Sequence, residues 1–213
     1  ADIKVKDIDY VAINRNPNLR IINKFLYSIK NIFNSKNILN RISNFKKINI
    51  IENQFEKYFN QKLKNKPILV DHHLAHAASS TLMSGFKECN YVTLDGFGDF
   101  VSTSIGNFNN NKFDKLKEVQ FPHSIGLFYS AITQFLGFDK YGDEYKIMGL
   151  SSYGSPSLKK KINEIIMYDK KNLFKLNLKF FKHHNDGIEM SWLEGEPIIS
   201  QIFSNELINL LGN

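Results

Sequence analysis

Three histidines stand together in Val70-Asp71-His72-His73-Leu74-Ala75-His76. His72 and His76 are four residues apart, so on a helix their imidazoles leave one face a turn apart and can converge on a single cation. Neutral imidazole is a good ligand for iron, zinc and similar metals. The same spacing also suits a structural pair, so both readings stay open at this point. Two protein ligands are too few for a stable site, and a third, expected to be a carboxylate, has to come from elsewhere. His73 points about a quarter turn away, toward a substrate or a structural partner.

A second group of residues has the chemistry of an anion site. In Asp95-Gly96-Phe97-Gly98-Asp99 the glycines let backbone amides approach an anion where a Cβ would obstruct. Asp-Gly is equally a common hairpin turn that needs no ligand. The context brings the phosphate reading level with the structural one: a strand, a glycine loop, a strand with Ser102, Thr103 and Ser104, then a third strand, as in the phosphate-binding halves of the actin and sugar-kinase type of fold. Pro122-His123-Ser124 precedes a helix that Ser124 can cap, with His123 facing a ligand at the positive helix end. Gly142-Asp143-Glu144-Tyr145-Lys146 sets opposite charges beside flexible backbone, either over a ligand or as a solvated turn. Cys89 beside Glu88 has neither a nearby base nor a positive setting, which argues against a nucleophilic role.

Simple elements must position these groups. Ile8 to Asn14 reads as a short buried strand ended by the turn residues Asn16-Pro17-Asn18. Apolar residues at helical spacing predict amphipathic scaffold helices over 19–33 (Ile22, Phe25, Leu26, Ile29, Ile32, Phe33) and 48–59 (Ile48, Ile51, Phe55, Tyr58, Phe59). Ile68 to Val70 is a second short strand, and the Ala-rich run from the histidines to Met83 favours a helix. A β-meander follows, with strands at 91–94, 100–108 and 113–121 joined by turns at 95–99 and 109–111. Helices are expected over 125–138 and 158–167, with loops at 141–146 and 149–154 and a mixed, Lys-rich remainder.

Composition bounds the function without naming it. The 213 residues are 42% hydrophobic and 23% charged, ordinary globular usage. The formal charge of +7 comes from Lys that accompanies abundant Asn and Ile, with no dense Arg cluster, so nucleic-acid binding is not expected. One cysteine excludes an internal disulfide, and no charged leader with an apolar core opens the chain; the expected setting is reducing and cytoplasmic. No apolar run approaches the roughly 18 residues of a membrane span. The chain enters its first strand without an initiator Met, as an excised piece of a longer protein would.

Four motifs then stand in one order: Val70 to Ser79, Leu94 to Asp99, Pro122 to Tyr129, and Asp143-Glu144-Tyr145-Lys146-Ile147-Met148-Gly149-Leu150. Together with Asp9 to Pro17 they resemble the carbamoyltransferases of the NodU and TobZ type over most of residues 1 to about 156. The resemblance implies a partial α/β fold of the ASKHA (actin, Hsp70 and sugar-kinase-like) class, Kae1-like, with mixed sheet, β-meander and flanking helices. Residues 1–90 would end the first half and 91–213 begin the second, without the C-terminal YrdC-like domain. It also implies that His72 and His76 hold a divalent metal, with Fe2+ expected, the third ligand lying beyond the end of this chain.

By the same resemblance Asp95, Gly96, Gly98 and Lys146 would hold ATP or carbamoyladenylate, the latter made from carbamoyl phosphate and ATP by the separate domain. The carbamoyl group would pass to a hydroxyl of a small acceptor such as a sugar, with His73 or His123 taking its proton. The isolated piece is expected to lack transferase activity and to bind metal weakly. A non-catalytic nucleotide-fold binding module is one alternative, and a tRNA threonylcarbamoyl-transfer relative is another, although that relative usually lacks the motifs around Pro122 and Lys146. Oligomerisation is left open.

Overall fold

Residues 4–30, 51–193 and 195–212 are described by the computed structural model. The first expected strand is shorter than its pattern: a 3-10 turn at Val5–Asp7 precedes β1 (Ala12–Ile13). β1 pairs in parallel with β2 (Ile68–Leu69), and the Val70 amide extends the ladder to the Ile13 carbonyl at 2.8 Å. This pair brings residues 14–20 alongside the start of the histidine segment.

Helices α1 (Ile21–Lys30) and α2 (Ile51–Phe59) form within the two predicted helical stretches, while Ile32, Phe33 and Ile48 lie outside the described residues. Their apolar faces were expected to be core. Instead Ile22 and Phe25 are 72% and 63% exposed, and α1 docks through its other side. There Tyr27 meets Phe121 edge-on at 4.9 Å and Asn23 donates to Gln120 at 2.7 Å. Amphipathic spacing predicted the helix correctly but not the face that is covered.

Helix α3 (His72–Ser84) begins at its N-cap Asp71, which accepts the Leu74 amide, and ends at Gly85 with φ 76°. The meander then comprises β3 (Glu88–Gly98), β4 (Val101–Asn109) and β5 (Lys112–Gln120), all antiparallel. The turn expected at 95–99 is displaced. β3 continues to Gly98 with an irregularity between Leu94 and Gly98, and the chain reverses at Asp99 and Phe100, with φ of 52° and 76°. The glycines therefore bulge the strand where a turn was expected, which twists it and re-aims Asp95. Asn110 and Asn111, also at positive φ, make the second turn within the predicted segment.

Helix α4 (Ile125–Phe135) stops short of residue 138, and α5 (Glu144–Ser151) occupies part of the predicted loops. Helix α6 (Lys159–Ile165) forms within the helix expected over 158–167, and the Lys-rich remainder is structured as well, starting with the hairpin β6 (Ile166–Asp169) and β7 (Leu173–Leu176). There follow α7 (His183–Asp186), the hairpin β8 (Met190–Leu193) and β9 (Glu196–Ile199), and α8 (Asn205–Leu211). The main core joins Leu127 and Ala131 of α4 to Ile165, Leu176, Phe180, Ile202 and Leu207. Burying side chains of this size at about 25 cal/mol per Å2 of apolar surface is what fastens α4 in place. Among the described residues no helix is long and apolar enough to cross a membrane.

One ion network crosses these layers. Arg20 donates to Asp71 at 2.9 Å and grips Glu118 of β5 with two nitrogens at 2.7 and 3.0 Å. Burial opposes ionisation of Glu118, but hydrogen bonds from Arg20, Lys115 and Gln120, with the charge of Arg20, hold its carboxyl down at about 2. A depressed folded-state pKa contributes stability that is present above the ordinary value of 4.5 and lost as pH falls toward 2. Urea midpoints measured from about pH 5 down to pH 2 should therefore fall more steeply for the wild type than for Glu118→Gln. The difference should be roughly 2–3 kcal/mol.

Candidate metal centre

Asp71 sets the geometry by starting α3 where it does. Its Oδ1 caps the helix at the Leu74 amide while Oδ2 takes Arg20, so His72 and His73 fall in the first turn and His76 in the second. The His72 amide, one of the unpaired donors of a helix start, donates to Asp99 Oδ2 at 3.0 Å. The same oxygen accepts the Asn16 amide at 2.9 Å. The turn of β3 and β4, the end of β1 and the head of α3 thus meet on one carboxylate.

The His72 ring is fixed at both nitrogens. Nδ1 lies 3.1 Å from the Asn14 carbonyl, which can only accept, so Nδ1 carries the proton and Nε2 keeps its lone pair. That Nε2 stands 2.6 Å from Asp95 Oδ2 and 3.1 Å from His76 Nε2. His76 Nε2 is 3.7 Å from the same Asp95 oxygen. All three ligand atoms lie within 4.8 Å of one another. Lone pairs facing each other at these distances need a proton or a cation between them. The resemblance puts the third ligand beyond the chain and Asp95 in a phosphate cradle; the structure instead offers Asp95 as a candidate for that ligand inside the chain.

Asp95 is clamped from both sides. Ser124, the N-cap of α4, donates to the Asp95 carbonyl at 2.9 Å, and Gly96 N–H donates to Asp95 Oδ1 at 2.6 Å. A Cβ on Gly126 would come within 2.6 Å of the Asp95 carbonyl oxygen, so glycine lets α4 approach the bulge. Burial raises the Asp95 pKa, but where a proton rather than a cation bridges His72 Nε2 and Asp95, that hydrogen bond, the Gly96 amide and the charge of the imidazoles outweigh burial and hold the carboxyl below its ordinary value.

Gly98 and Gly96 differ in what surrounds them. A Cβ at Gly98 would sit 1.9 Å from His72 Cδ2, so Gly98 makes room for the imidazole. Gly96 is open, with only Leu127 Cδ2 at 3.9 Å.

The other predicted site residues are placed as follows. His73 is 2% exposed, its Nδ1 2.7 Å from Thr93 Oγ1 and its Nε2 2.9 Å from the Val101 carbonyl. Both nitrogens are engaged with protein, which leaves none to take a proton from an attacking hydroxyl. His123 Nδ1 accepts the Leu176 amide at 3.2 Å. Burial and the charge of Lys175 push the His123 pKa down, so its ring is neutral, with Nδ1 accepting and the proton on Nε2. Lys146, in the first turn of α5, pairs with Asp143 at 2.6 Å and lies over the rings of Phe138 and Tyr145. Arg20 and Asp99 went unnoticed as supports, because nothing in their spacing shows that distant segments meet there.

A family model described as carbamoyltransferase N-terminus matches residues 1–202. The chain belongs to this family. Among relatives, protein sll1178 of Synechocystis is 38% identical over 125 residues, 57% of this chain and 20% of that protein. Nodulation protein NolNO of Sinorhizobium fredii is 40% identical over 88 residues, 41% of this chain and 13% of its own length. Nodulation protein NolO of Bradyrhizobium diazoefficiens is 40% identical over 89 residues, 41% of this chain and 16% of that protein. The chain thus spans a fifth or less of the length of these three relatives; the family model and the two nodulation proteins bear out the family reached from the ordered motifs.

Two substitutions check the packing around these histidines. Gly98→Ala should displace the His72 ring and cost about 1–3 kcal/mol in urea unfolding, as overpacking does. His73→Ala should cost at least as much, because it strips Thr93 and the Val101 carbonyl of a buried partner.

Proposed function

We propose that this chain is the metal-binding part of an O-carbamoyltransferase that moves a carbamoyl group from carbamoyladenylate to a hydroxyl of a small molecule such as a sugar. The observation that carries this reading is the convergence of His72 Nε2, His76 Nε2 and Asp95 Oδ2 in a chain of the carbamoyltransferase N-terminus family. Two imidazoles and one carboxylate fit a divalent transition metal, with Fe2+ the expected ion. When bound, such an ion supplies Lewis acidity toward an oxygen of the carbamoyl carbonyl or of the adenylate phosphate.

The protein's own residues prepare that chemistry. The Asn14 carbonyl holds the proton on His72 Nδ1, leaving Nε2 to bind. Asp95 accepts the Gly96 amide on Oδ1, which favours its ionised form. His123, with Nδ1 occupied and its proton on Nε2, serves as a donor toward an anionic oxygen of the substrate and not as a base. Gly96 keeps open backbone for the approach of a phosphate, while Gly98 belongs to the imidazole. With three donors in the chain, metal affinity should exceed that expected of a histidine pair.

In this reading the fold is a partial ASKHA, Kae1-like one, and carbamoyladenylate is made from carbamoyl phosphate and ATP by a further domain of the complete protein. The test uses the full-length protein with carbamoyl phosphate, ATP and a panel of sugars and polyols, and follows the carbamoylated acceptor by mass spectrometry. Transfer should require Fe2+ or a similar ion. His76→Ala or Asp95→Asn should lower it by at least the ten- to hundredfold that weaker, outer-shell changes cost at metal sites. Transfer that survives both chelation and the His76→Ala, Asp95→Asn double variant would sink the reading.

A further inference from the structure

The three candidate ligands come from two elements with no covalent link near the site: His72 and His76 from the first turns of α3, Asp95 from the bulge of β3. Their spacing is therefore only as exact as the docking of α3 against the β3–β4 turn. Arg20 lies across that junction. Its Nη2 donates to Asp71, the N-cap that immediately precedes His72, at 2.9 Å, and its Nη1 to the Asp99 carbonyl at 3.4 Å. Its Nε and Nη2 hold both oxygens of Glu118 at 3.0 and 2.7 Å. All three guanidinium nitrogens are used, on α3, on the β3–β4 turn and on β5.

Three features set Arg20 apart from an ordinary surface ion pair. Its side chain is only 9% exposed, and those of Asp71 and Glu118 are 22% and 15% exposed, so the group is withdrawn from water. Arg20 adopts φ 57°, a left-handed conformation that costs a non-glycine residue and persists only where surrounding contacts over-determine it. The planar fork, with five N–H donors, serves four acceptor oxygens and grips Glu118 with two nitrogens; a lysine ammonium has three donors on a single nitrogen and acts as a point charge.

From this arrangement we propose that Arg20 is a positioning residue for the metal centre. By drawing Asp71 and the Asp99 backbone onto Glu118 it sets the distance between the His72 and His76 imidazoles and the Asp95 carboxylate. It touches none of the three ligand atoms and acts through the N-cap on one side and the strand turn on the other. The inference rests on the metal reading of His72, His76 and Asp95.

The experiment uses the full-length protein, with Co2+ as the probe because its visible spectrum reports coordination number and geometry. Wild type, His76→Ala, Arg20→Ala and Arg20→Lys are titrated with Co2+, and the thermal midpoints of the metal-free forms are recorded alongside. Arg20→Ala should bind Co2+ ten- to a hundredfold more weakly, the range known for outer-shell partners of metal ligands, with an altered spectrum. Arg20→Lys keeps the charge and the fold but loses the fork, and should still shift the spectrum and weaken binding. A purely stabilising arginine would instead lower the thermal midpoint and leave the Co2+ affinity and spectrum of the folded protein unchanged. That result in Arg20→Lys overturns the proposal even if Arg20→Ala does not fold. Failure of the wild type to bind Co2+ more tightly than His76→Ala would overturn the metal reading itself, and this inference with it.

Discussion

Two imidazole nitrogens and a carboxylate oxygen that present lone pairs to one point repel one another, and the structure around His72, His76 and Asp95 holds them together against that repulsion. Each constraint is local and identifiable. The Asn14 carbonyl dictates which His72 nitrogen is protonated, the helical repeat places His76 a turn later, and the bulge in β3 turns Asp95 toward them. Asp99 fastens the helix start to the strand turn through the amides of His72 and Asn16. An arrangement held this way is preorganised, so a cation that enters it meets donors already in place.

The rest of the fold supports that junction from below. Ser124 and Gly126 bring the head of α4 against Asp95, and α4 is in turn seated in the core built with Ile165, Phe180, Ile202 and Leu207. His73 runs from α3 between β3 and β4, joining Thr93 to the Val101 carbonyl across the strands. The segment beyond residue 157, compositionally the plainest part of the chain, thus contributes to the stiffness of the site through the helix it covers. His183, buried among Phe97, Phe121 and Phe181 and held near a pKa of about 4 by burial, adds a hydrogen bond to the Pro122 carbonyl in the loop that carries His123 and Ser124.

Much of the site was legible as a line of residues. The four-residue spacing of His72 and His76, the meander and the cap at Ser124 follow from local periodicity and turn chemistry, and the order of the motifs pointed to the carbamoyltransferase N-terminus family. Less legible were the roles inside each motif. Asp95-Gly96-Phe97-Gly98-Asp99 has the composition of a turn, yet two of its residues work at opposite ends of the junction, Asp95 beside His72 and His76 and Asp99 at the helix start. Gly98 looked like a glycine for an anion and is a glycine for an imidazole.

Local sequence therefore determined which segments become helices and strands, and which residue types could bind a metal, because those properties depend on neighbours within a few positions. Tertiary structure alone decided that Asp95 joins the two histidines, that His73 is turned inward, and that Arg20 reaches Asp71 and Glu118. Those outcomes depend on the register of β3 against β4, on a bulge that shifts that register, and on contacts between residues as many as 98 positions apart. A shift of one residue along a strand reverses which side chains face the helix, and no short-range pattern carries that information.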